Sequence, residues 1–158
     1  NLWDYLCIVT ISTIICDNLM NMLIHAHSGL RYVVLGLLIA SIVEAYSKWK
    51  TDDQGDSKIY LFAFISAHTQ LLIGLILYMM SPKVDFSQMS VALFRFFSVE
   101  HAFMMLIAIA LITIGRIKAK KLTGGDKHRT VLFFYLLALV IILVAIPWPF
   151  RGLGSGWF

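Results

Sequence analysis

Charge is what this sequence has least of. Only 14% of its 158 residues are Asp, Glu, Lys or Arg, against about 25% in soluble domains. With 59% hydrophobic residues and a mean hydropathy of +0.82, the chain has too little polar surface for a water-soluble globule. Cysteine is nearly absent too. Cys7 and Cys16 both lie in the first apolar segment, and no CxxC or CxxCH occurs, which excludes covalent c-type haem attachment and a cysteine zinc site. Both thiols are expected to be buried. No GxSxG, Walker loop, HExxH or dinucleotide fingerprint is present. With no soluble lobe to hold a substrate, hydrolase and kinase chemistry are excluded.

What is there is a series of apolar runs. The spacing predicts membrane-spanning helices over 23–46, 59–80, 91–117 and 128–148, each long enough to cross a bilayer. Pro82 falls just beyond the second span, and Pro147 and Pro149 close the fourth, where helices stop. The fold expected is all-α: an integral membrane up-down four-helix bundle with short loops. Residues 1–22 form an additional short apolar segment. Its uncharged run, 5–16, is too short for a straight span, and it lacks the marks of a signal peptide. Met20 and Met22 come directly after it, so residues 1–19 are read either as upstream sequence outside the native protein or as an interfacial helix.

The net charge of +4 does not point to nucleic acid, because the basic residues sit between apolar runs. Lys48, Lys50 and Lys58 flank the first loop, and Arg116, Lys118, Lys120, Lys121, Lys127 and Arg129 the third. The other side has only Lys83 and Arg151, plus Arg31 and Arg95 within spans. Loops 47–58 and 118–127 are therefore expected to be cytoplasmic, with both termini outside.

Ionisable groups inside spans each need a partner or a function. The stretch Arg95-Phe-Phe-Ser-Val-Glu-His101 puts three of them in the third span, and His68 lies in the second. At about 1.5 Å per residue, His68 is roughly 14 Å from the inner start of its span, and His101 roughly 15 Å from the outer start of its own. Two imidazoles at one depth on neighbouring helices are what a b-type haem needs, with Phe97, Phe103, Met104 and Met105 around the porphyrin. Counted the same way, Arg31 and Glu100 are level, so they are expected to pair. With Arg95 they would neutralise a haem propionate or bind a quinone headgroup. His27 and Arg31 share a helix face, as do Glu44 and Lys48. Ser66, Gln70 and Gly74 form a small polar stripe about 160° around from His68. Gly36 and Ala40 would allow close helix approach. His25 and His27 make an H-x-H with no further ligand nearby, which is too little for zinc. His128 is read as a headgroup or helix-terminus residue.

The segments His27-Ser-Gly-Leu-Arg-Tyr32, Ala67-His-Thr-Gln-Leu-Leu-Ile-Gly74, Val99-Glu-His101 and Ile146-Pro-Trp-Pro-Phe-Arg151 resemble a family of small four-helix bacterial membrane proteins labelled cytochrome b-like. The family is similar in architecture to b561-type bundles. The resemblance spans residues 22–150. It implies haem b as cofactor, His68 and His101 as ligands of the haem iron, and His27 as another candidate. Unlike a b561 core, the chain lacks a second depth-matched histidine pair, which argues against a two-haem relay. The expected function is electron transfer in the bacterial inner membrane, with quinone or respiratory-chain proteins as partners. The bilayer surrounds the protein, as an oligomer or a subunit of a complex. Two other functions fit the same residues: a haem-free accessory subunit, and a proton or metal conduit through His27, Glu100, His101 and His68.

Overall fold

A computed structural model describes the backbone of residues 2–153 and the side chains of 15–153. It contains α1 (Leu2–Lys50), α2 (Lys58–Met80), α3 (Ala92–Ala119) and α4 (Gly124–Ala145), with 3-10 turns at Phe86–Gln88 and Pro149–Arg151. The described residues include no strand. Four helical stretches of 36, 23, 28 and 22 residues, the first being Ile15–Lys50, are long and apolar enough to cross a membrane. The protein is an all-α, multi-pass four-helix bundle.

Helix α1 packs against α2 and α4, α4 against α3, and the α2–α3 seam is the lightest. This is the ring expected when consecutive helices run antiparallel. The centre is filled by Leu38, Tyr60, Ala63, Ala108, Ile112, Val131, Tyr135 and Ala138. Apolar side chains also cover the outside, including Val43, Leu72, Met79 and Phe133, as lipid contact requires. Small residues set the helix spacing. A Cβ on Gly115 would stand 2.5 Å from Phe134 Cβ, so α3 and α4 meet there. The close approach expected at Gly36 is not made within the chain: Gly36 is exposed, with nothing within 4 Å of where its Cβ would stand.

Helix α1 runs unbroken through residue 22, where the sequence suggested a boundary. Ile15, Leu19, Met22 and Ile24 are exposed. Cys16 is exposed too, contrary to the expectation of a buried thiol. Cys7 lies outside the residues whose side chains are described.

The end of the bundle carrying the first and third loops is held by polar contacts. Helix α4 begins four residues earlier than its apolar pattern suggested, because the first loop caps it. Asp52 Oδ1 accepts the Gly125 N–H at 2.5 Å, satisfying one of the donors that every helix start exposes. Gly124 has φ +57°, and its missing Cβ would lie 2.6 Å from that carboxylate. His128 is fully buried rather than at a headgroup. Its Nε2–H donates to the Asp53 carbonyl at 3.0 Å, and its Nδ1 accepts from the Tyr60 hydroxyl at 2.9 Å. Lys127 pairs with Asp56, and Lys48 reaches both Glu44 and Asp53. The Gly55 N–H holds Asp53 below the usual carboxylate range, and Lys127 does the same for Asp56.

Gly124→Ala should destabilise the bundle by about 1–2 kcal/mol through the left-handed backbone alone, read by thermal unfolding in detergent. Acid should loosen the same end. The folded-state pKa values of Asp53 and Asp56 are depressed, so their contribution is present at neutral pH. It is lost as pH falls from about 4 through their lowered values. Amide protection in residues 52–57 should fall over that window, once the intrinsic pH dependence of exchange is removed. Protection that stays constant would contradict this.

Candidate functional site

The opposite end holds the ionisable groups of α3. That helix starts with one α turn, Ala92–Arg95, widens into a π turn at Phe96–Glu100, and continues as α-helix from His101. The His101 N–H donates to the Phe96 carbonyl, five residues back. Such turns insert an extra residue and re-aim the side chains after it. Two contacts from outside brace it: the Tyr78 hydroxyl donates to the Ser98 carbonyl at 2.7 Å, and Ser98 Oγ accepts the Asp85 N–H at 2.9 Å.

The π turn also corrects the ion pair. Glu100 is bonded to Arg95 at 2.8 Å, not to Arg31. Residues five apart point in different directions on an α-helix but stack on a π turn. Arg31 instead lies over the Tyr32 and Trp148 rings, at 4.8 and 5.7 Å, with Nη2 3.1 Å from the Tyr32 hydroxyl.

His101 and His68 are not at one depth. His68 packs its ring 4.0 Å from that of Phe64, donates Nδ1–H to the Phe64 carbonyl at 2.8 Å, and brings Nε2 within 3.3 Å of Thr113 Oγ1. Thr113 lies 12 residues along α3 from His101, roughly 18 Å. Side chains lean toward the N-terminus of their helix. On antiparallel α2 and α3, His68 and His101 therefore lean apart, which adds to an axial offset of the two helices that counting from aligned ends does not register.

The imidazole that meets His101 is His27. Helices α1 and α3 run in the same direction, so both side chains lean toward the same end. The ring centroids are 6.4 Å apart with planes at 69°. His101 donates Nδ1–H to the Ala145 carbonyl at 2.8 Å, leaving Nε2 with its lone pair. Metal-ligating histidines are commonly oriented by a bond of this kind. Phe96 and Phe97 flank the ring at 5.8 and 6.3 Å, whereas Phe103 faces outward.

His27 sits on the small stripe of α2. Gln70 Nε2 donates to its backbone carbonyl at 2.8 Å, and a Cβ on Gly74 would stand 3.1 Å from its Cε1. Its Nδ1 is buried with no hydrogen-bond partner. The stripe thus faces α1 while His68 faces α3. The Ala145 carbonyl and the π turn left no mark in the sequence.

The 6.4 Å centroid spacing is that of two imidazoles sharing one metal. Two metal–nitrogen bonds of about 2 Å each, plus the depth of the two rings, come to roughly 6 Å. Among the described residues no three His, Cys, Asp or Glu side chains gather to hold an ion. A bare cation would have only this pair. Tyr78→Phe, which strips the Ser98 carbonyl of its side-chain donor, should cost about 1 kcal/mol in thermal unfolding while leaving helix content unchanged.

Compared with known proteins, the chain matches no protein-family model, no curated protein and no solved structure.

Proposed function

We propose that the protein binds one b-type haem between His27 and His101 and carries electrons within the bacterial inner membrane. The observation that supports this most is the side-by-side placement of two half-buried imidazoles from parallel helices, 6.4 Å apart. The resemblance to cytochrome b-like proteins also implies haem b, though with His68 and His101 as its first ligand pair and His27 as a further candidate. When bound, haem supplies reversible one-electron chemistry that no side chain here provides.

The chain's own residues do the rest. The Ala145 carbonyl fixes the tautomer and orientation of His101. Gly74 leaves room for the His27 ring, and Gln70 holds the backbone that carries it. Arg31, one turn along α1 from His27, offers a positive charge to a propionate or a quinone headgroup. Arg95 and Glu100 neutralise each other at the start of α3. His68 takes no axial place in this reading, because its ring lies beside Thr113, about three turns along α3 from His101. A lipid-soluble quinone suits a carrier built of apolar helices, and the basic first and third loops orient it toward the cytoplasm.

The test is a dithionite-reduced minus oxidised spectrum of protein expressed with ample haem. A b-type band should appear, vanish in His27→Ala and in His101→Ala, and survive in His68→Ala. A featureless spectrum would overturn the proposal, as would a band that tolerates His27→Ala but not His68→Ala.

A further inference from the structure

At the loop-one and loop-three end, the start of α2, the last turns of α3 and the start of α4 enclose a cavity of about 290 Å³. Four cations line it, Lys58, Arg116, Lys120 and Lys127, against a single carboxylate, Asp56, which Lys127 already engages. Among the described residues Lys58, Arg116 and Lys120 make no ion pair. Two further donors point to a missing partner. Ser57, in the cavity wall, is only 7% exposed, yet its hydroxyl has no hydrogen-bond partner. Arg116 Nε is likewise buried and unbonded. Ser57 occupies the N-cap of α2 without capping it, and the first turn of α2 has no acidic residue. The helix start therefore keeps free N–H groups and the positive end of its dipole beside the same cavity.

A guanidinium, two unpaired ammonium groups, a hydroxyl and a helix N-terminus converging on one space are a donor set for a tetrahedral anion with several acceptor oxygens. We propose that this cavity binds a phosphate group, with Arg116 and Ser57 as its inner donors and Lys58 and Lys120 at its mouth. Its position at the end of four apolar helices makes an anionic phospholipid headgroup one source of that group and free phosphate the other. The site does not depend on the haem reading, since it shares no residue with it.

The test uses the full chain in a neutral detergent. Its unfolding temperature is followed during titration with phosphatidylglycerol, with phosphatidylcholine, and with inorganic phosphate against chloride at equal ionic strength, because a ligand of the folded state stabilises it by mass action. A headgroup site predicts stabilisation by phosphatidylglycerol beyond phosphatidylcholine. A free-phosphate site predicts stabilisation by phosphate beyond chloride. In either case, the concentration giving half the shift should rise about fivefold in Lys120→Gln and in Arg116→Gln. Lys121→Gln makes the same charge change away from the cavity and should leave it unaltered. Lys120 is exposed, so its variant tests the site even if Arg116→Gln fails to fold. No preference for either anion overturns the proposal. So does a preference that Lys120→Gln leaves intact, or that Lys121→Gln weakens equally.

Discussion

Within a bundle surrounded by lipid, a polar group can find a partner only in the protein or in something the protein binds. That constraint arranges both ends of this molecule. At one end the ring of His101 takes a helix-terminal carbonyl, and Gln70 takes the backbone of His27. At the other, His128 bridges Tyr60 and the first loop. Between them, Ser41 folds back onto the carbonyls of Leu37 and Ile59. The buried atoms left over are informative by their position. His27 Nδ1 and Gln70 Oε1 belong to one end, and Ser57 Oγ and Arg116 Nε to the other. Each end therefore keeps buried polar atoms without a hydrogen-bond partner.

Helix direction then decides which groups meet. Parallel helices lean their side chains alike, and antiparallel ones lean them apart. In an up-down ring this favours the diagonal partners α1 and α3 over sequence neighbours for building a two-ligand site. The π turn of α3 and the small residues of α2 complete the arrangement. One sets the aim of His101, and the others let His27 into the bundle.

Much of the fold was legible because lipid imposes a simple rule on sequence. The spans of α2 and α3 fall within two residues of their apolar patterns, and the pairing of Lys48 with Glu44 comes from spacing alone. The stripe of Ser66, Gln70 and Gly74 was visible as a face, though not what it faced. Three features were not legible. The early start of α4 depends on Asp52, more than seventy residues away in the chain. The exchange of Arg31 for Arg95 as the partner of Glu100 depends on a π turn with no sequence signature. The choice of His27 over His68 beside His101 depends on the axial offset of α2 against α3 and on side-chain lean, which counting from aligned ends omits. His27 and His101 were both candidates from their residue type, but their pairing was a matter of three-dimensional direction.

The most direct measurement of the central claim is low-temperature electron paramagnetic resonance of the oxidised full chain. Two imidazoles on one iron predict a low-spin ferric signal, converted to high-spin or lost when either His27 or His101 is replaced. A high-spin signal from the unaltered protein, or a low-spin signal indifferent to both replacements, would contradict it.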